Sequence, residues 1–185
     1  MSMPAALDRY YTREEVLAFP DDGNRYELVR GELLVSPSPR RLHQRVLLKL
    51  AIALTLHAEQ HKLGTVYVSP ADISWGGLPD VLVQPDVFVV APHEQRVNEW
   101  IDMRHFHLFV EVLSPATTRH DRFTKRRLYQ EMRVPLYWVI DPDTSRAEVW
   151  TPNATWPVIE ESSLVWAAGE EVPALTLELA ALFQE

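Results

Sequence analysis

The 185-residue chain predicts one α/β domain over residues 1–185: a mixed central sheet flanked by helices, with extra β-hairpins. Three observations carry that expectation. The runs VLVQPDVFVV and HFHLFVEVLSP are apolar, β-branched and aromatic, the composition of buried strands. Leu42 to Lys62 is a long helical stretch, apolar on nearly every side. From Thr65 to Ile140 the order is strand, strand, strand, helix, strand, which gives both antiparallel neighbours and a helical crossover.

Each element has a local cause. Thr12 with Glu15 three residues on reads as a capping box opening a short helix through Phe19, and Pro20-Asp21-Asp22-Gly23 ends it. Tyr26 to Val29 and Glu32 to Val35 read as a hairpin turning at Arg30-Gly31. Ser36-Pro37-Ser38-Pro39 breaks the strand. In the long helix, Val46, Leu50, Leu54 and Ala58 share one side and Leu48, Ile52 and Leu56 another. A helix this apolar is largely buried or lies at a subunit contact, and Gly64 closes it at the C′ position. Thr65 to Trp75 reads as a strand, then Gly76-Gly77 turn the chain into a second strand, Val81 to Val90. A polar stretch with a short helix near Trp100 leads to the strand Phe106 to Leu113. A helix over Thr118 to Arg133 follows, then a hairpin of Leu136 to Ile140 with Arg146 to Trp150. Trp156 to Trp166 reads as further β structure and Leu175 to Phe183 as a terminal helix.

Composition narrows the function classes. With no cysteine, disulfides, thiolate metal sites and cysteine nucleophiles are excluded. That composition suits a reducing cytoplasm. The amino-terminal stretch MSMPAALDRYYTREE has neither a basic region nor a long apolar region, so no signal peptide is expected. No run is long and apolar enough to span a membrane. The net charge of −8 argues against a generic DNA coat but leaves a nuclease open, because bound cations offset acidic charge locally. Two basic clusters could dock nucleic acid: Arg40, Arg41, His43, Arg45 and Lys49, and Arg119, His120, Arg122, Lys125, Arg126 and Arg127. There is no Gly-rich phosphate loop, EF-hand or G-x-S-x-G elbow.

Two acids break the apolar strands. Asp86 shares a face with Phe88 and Val90, and Glu111 shares one with Phe109 and Leu113. A lone buried carboxylate costs several kcal/mol or loses its charge. If the strands are neighbours, both acids converge on one side of the sheet. Hard oxygen donors of this kind favour Mg²⁺ or Mn²⁺, and the backbone carbonyl of Val112 could add a third ligand. With Thr118 as N-cap and Asp121 at the third helical position, Lys125 falls on the buried stripe of Leu128, Tyr129 and Met132. A metal held by Asp86 and Glu111 would polarise a phosphodiester and acidify water, with Lys125 stabilising the developing charge.

Four segments, YELVRGELLVSPSPRRLH, VQPDVFVV, EVLSPATTRHDRFTKRRLYQ and VPLYWVIDP, resemble in content and order the Uma2 family of restriction-endonuclease-like proteins. The resemblance covers a core of about residues 11–152. It implies a restriction-endonuclease-like fold of the PD-(D/E)xK nuclease superfamily and metal-dependent hydrolysis of DNA. It makes Asp86 and Glu111 the motif acids. The superfamily's lysine position is Leu113 here, and the resemblance passes that role to Lys125. Glu32 is the candidate upstream acid and Glu27 a weaker one. His43 can face the cleft or simply end its helix, and Asp121 can cap its helix and secondarily orient Lys125. The leading expectation is a Mg²⁺-dependent endonuclease, with a homodimer and DNA as partners. The alternatives are a catalytically inactive dimeric nucleic-acid-binding or assembly module and a hydrolase of another phosphate ester.

Overall fold

The computed structural model describes residues 9–169 and 171–184. Most of the segment read as lacking a signal peptide, and the outer limits of the 1–185 domain, lie outside the described residues.

The capping box forms as expected. Thr12 accepts from the Glu15 amide while the Glu15 carboxylate accepts from the Thr12 amide, opening α1 (Arg13–Leu17). β1 (Arg25–Val29) and β2 (Glu32–Ser36) make the hairpin through Arg30 and Gly31, both at positive φ. α2 (Arg41–His61) lays Val46, Leu50, Leu54 and Ala58 on the sheet and leaves Leu48, Ile52 and Leu56 exposed. Lys62, not Gly64, takes the left-handed C-cap at φ 56°. Gly64 serves a close approach instead: a Cβ there would stand 1.8 Å from the Val90 carbonyl oxygen.

Two strand expectations and one helix expectation need correction. β3 (Thr65–Val68) stops at Ser69-Pro70 rather than running to Trp75. The run 81–90 is two strands in two sheets: β4 (Val81–Leu82) pairs with β1, and β5 (Val87–Val90) enters the central sheet. Pro85 lacks a donor for a ladder, and Asp86 sits at the crossing from one sheet to the other. After 3₁₀ turns at Pro92–Arg96 and Trp100–Asp102 comes β6 (Phe106–Val112). The following helix includes a π-helical stretch, His120–Lys125, before α3 (Arg126–Glu131). β7 (Tyr137–Asp141) and β8 (Arg146–Trp150) form the expected hairpin, extended by β9 (Val158–Glu160). β10 (Ser163–Trp166) pairs with β11 (Leu175–Glu178), so the terminal run is half strand, and only α4 (Leu179–Phe183) is helical.

The central sheet has the order β3-β5-β6-β7-β8-β9. β6 and β7 are its parallel pair, joined by the α3 crossover, and the remaining neighbours are antiparallel. Alternation along β5 and β6 feeds two cores. Val87, Val89, Leu108 and Val110 face α2 and α4, while Phe88, Val90, Phe109 and Leu113 face α3 and the β1 hairpin. The fold is a mixed sheet flanked by helices, as the sequence predicts.

Candidate active site

β5 and β6 pair with Val87 opposite Val110. One step further along, Asp86 faces Glu111 on the side that packs against α3. Both carboxylates are buried, as are Glu27, Asp121 and Lys125. The π-helical turn aims Asp121 and Lys125 inward together. Lys125 Nζ lies 2.8 Å from Glu111 Oε1, 2.9 Å from Glu27 Oε1 and 3.3 Å from Asp121 Oδ1. The Asp121 contact has ion-pair distance but not hydrogen-bond geometry. Tyr129 donates its hydroxyl to Glu111 Oε1, and the Gln84 amide donates to Glu27 Oε1. Glu111 Oε2 is buried with no hydrogen-bond partner.

Asp86 is satisfied on every side. Arg25 donates to its Oδ1 at 2.8 Å, and its Oδ2 meets the Val112 amide at 2.8 Å and His43 Nε2 at 3.0 Å. Burial works to raise the Asp86 pKa, but the His43 hydrogen bond and the Arg25 and Lys125 charges outweigh it and hold the group below the usual carboxylate range. With Asp86 ionised, the contact selects the His43 tautomer carrying its proton on Nε2. Burial pushes Glu111 well above the ordinary carboxylate range despite the Lys125 charge, and the neighbouring acids add to the rise. Asp121 moves the same way, also led by burial. Burial opposes the charge of Lys125, yet Glu111, Glu27 and Asp121 overcome it and raise its pKa. Four acids thus surround two permanent cations, Arg25 and Lys125.

A cleft of about 610 Å³ opens onto this layer. Asp86, Arg25 and His43 stand at its polar end, with Ser114 and Thr117 beside them and Phe19 and Tyr26 in its apolar part. Glu111 and Lys125 are not among its lining residues.

The Uma2 family model, described as "Putative restriction endonuclease", matches residues 13–180. This chain belongs to the Uma2 family. A solved Anabaena variabilis ATCC 29413 protein, described as "a putative nuclease belonging to DUF820", superposes with TM-score 0.75 at 19% identity, covering 94% of this chain and 97% of that one. At that identity the likeness establishes the fold. No curated protein matches.

In this Uma2 chain the structure brings together Asp86, Glu111, Lys125, Asp121 and His43. Glu32 is the exception: it is exposed, with its nearest basic contact at His120, 4.0 Å away. Glu27, two residues before the end of β1, takes the buried upstream position instead. Asp121 is not the cap it was expected to be. Thr118 already bonds back to Ser114, the Asp121 amide bonds to Thr117, and the Asp121 carboxylate turns to Lys125. Val112 meets Asp86 through its amide. Arg25 and Tyr129 carry no functional signal in the sequence. Arg25-x-Glu27 alternates like any half-exposed strand, and Tyr129 reads as core. The basic clusters are partly spent on structure: Lys49 and Arg45 bind carbonyls at the end of α4, and Arg122 pairs with Asp141 and Glu148.

The donor set fits a hard divalent cation: clustered carboxylates, an excess of acids over cations, and a buried Glu111 oxygen without a partner. The acids are not gathered on one open point, because Lys125 stands among them. Among the described residues, the acid and histidine ligand atoms that lie in a set of three within 4.8 Å of one another are those of His93, Glu94 and His105, at the far end of β5 and β6.

Proposed function

We propose that this chain is a metal-dependent endonuclease that hydrolyses DNA phosphodiester bonds. The observation that carries the reading is the unpartnered, buried Oε2 of Glu111, whose other oxygen holds the Lys125 ammonium, at the level of Asp86 and one step along the β5–β6 register from the Val87–Val110 pair. Family membership gives the same direction. Asp86 and Glu111 would hold Mg²⁺ or Mn²⁺, with the Val112 carbonyl as a further donor. A bound ion supplies Lewis-acid polarisation of the scissile phosphate.

The chain's own groups do the rest. Arg25 and His43 keep Asp86 ionised and oriented towards the cleft. Lys125, buried beneath the cleft lining, fixes the Glu111 carboxylate and adds a positive charge to the field under the phosphate. Tyr129, donating to the same Glu111 oxygen, and Glu27, paired with the ammonium, hold that pair in place. The exposed Arg40, Arg41 and Arg119 flank residues of the cleft and are available to dock a phosphate backbone. A cytoplasmic location suits a chain without cysteine, and among the described residues no helix is long and apolar enough to cross a membrane.

A second reading keeps the fold as a catalytically inactive dimeric module for nucleic-acid binding or assembly. It is favoured by Lys125 already holding three carboxylates and by the bare Leu48, Ile52 and Leu56 stripe of α2. Cleavage of duplex DNA with Mg²⁺ or Mn²⁺ separates the two. Under the nuclease reading, Asp86→Asn and Glu111→Gln fall to about one hundredth of the wild-type rate or less while staying folded. Metal-dependent cleavage that survives in both variants overturns it. Lys125→Ala is the poorer probe, because it strands buried acids at a cost of about 3–5 kcal/mol and confounds activity with folding.

A further inference from the structure

The far end of the β5–β6 ribbon carries a second constellation. β5 starts beside Asp86 and ends at Val90, and β6 starts beside His105 and ends at Val112. His93, Glu94 and His105 therefore sit at the opposite end of these two strands from the acid cluster. Glu94 is only 3% exposed. Its Oε1 is fixed by two backbone amides, Arg104 at 3.2 Å and His105 at 2.9 Å. The same oxygen is hydrogen-bonded to His105 Nδ1 at 2.6 Å, through a proton that a metal ion would displace, and lies 3.8 Å from His93 Nε2. The two imidazoles pack with ring centres 4.5 Å apart. Glu94 Oε2 is buried and has no hydrogen-bond partner.

We propose that His93, Glu94 and His105 form a second metal site, specific for Zn²⁺ and similar first-row ions rather than Mg²⁺. Two imidazole nitrogens and one carboxylate are a zinc ligand set, and water completes the tetrahedron from the solvent side, where both histidines are exposed. The buried carboxylate is the anchor. Its amide contacts set its position before any ion arrives, and an unpartnered oxygen remains. Filling the site ties the 3₁₀ turn Pro92–Arg96 to the start of β6. It clamps the sheet at the end remote from the cleft.

The test titrates Zn²⁺ alone, and separately Co²⁺ alone, into the metal-free full-length chain. Calorimetry gives stoichiometry and affinity, and the visible Co²⁺ spectrum reports tetrahedral nitrogen–oxygen ligation. One equivalent of micromolar or tighter binding is expected, retained in the Asp86→Asn, Glu111→Gln double variant. His93→Gln, His105→Gln and Glu94→Gln are each expected to weaken it about a hundredfold, with unchanged far-ultraviolet circular dichroism for the two exposed histidines. Zn²⁺ binding that is absent, or unaltered in both histidine variants, overturns the proposal. Loss of binding in the Asp86→Asn, Glu111→Gln background would assign the ion to the acid cluster and also overturn it.

Discussion

At the scale of single residues, Glu111 is the most exposed to a test. Its pKa in the folded chain lies above the unfolded value, led by burial. The folded state therefore binds its proton more tightly than the unfolded chain does. The stability it contributes is fully present below the ordinary glutamate range and is lost as pH rises through the raised value. Asp86 works oppositely, contributing above its ordinary value and losing that contribution as pH falls through its depressed one. Metal-free protein melted in chelator over a pH series should show a Tm contribution from Glu111 that falls as pH rises from the ordinary glutamate range through the raised value. Glu111→Gln should flatten that fall and melt higher there, since Gln still accepts from Lys125 and Tyr129. Parallel melting curves for the two proteins would contradict the protonation account. Asp86, Glu111 and Lys125 are legible in sequence because a charge within an apolar period stands out. Arg25 and Glu27 are not, because β1 shows a polar–apolar alternation that an ordinary surface strand shares, and only the packing of the β1 hairpin over the sheet buries it.

At the scale of elements, close backbone approach decides one junction. Gly64 holds φ 133° between α2 and β3, against the Val90 carbonyl of β5. Gly64→Ala forces both an unfavourable dihedral and a clash with backbone, so a loss of at least about 2 kcal/mol is expected in urea unfolding. An unchanged midpoint would show that the β3 edge yields without cost. Local signals recovered α1, α2, the β1–β2 and β7–β8 hairpins, and the buried stripe of Lys125, Leu128 and Tyr129. They failed where one apolar run serves two partners. Residues 81–90 look uninterrupted, but Pro85 cannot join a ladder and the chain changes sheets there. Leu175 to Phe183 carries too few residues for period two and period 3.6 to be told apart, and β10 claims its first half.

At the scale of the whole molecule, the mixed sheet was legible because hairpin spacings and one helical crossover limit the strand directions. The strand order was not, since no local pattern says which edge β3 or β9 takes. That order sets β5 and β6 side by side, and β1 of the smaller sheet and the π-helical turn pack over them to complete one layer of acids under the cleft. The acidic net charge of −8 and the four acids around Lys125 and Arg25 suit a site completed by a cation. Diffraction from crystals soaked in Mn²⁺, recorded at the manganese edge, tests this most directly. A manganese ion held by the two acids gives an anomalous peak about 2.2 Å from a carboxylate oxygen of Asp86 and from one of Glu111. Asp86 still bonded to Arg25 and His43 with no ion between the two acids, or manganese confined to His93, Glu94 and His105, would contradict it.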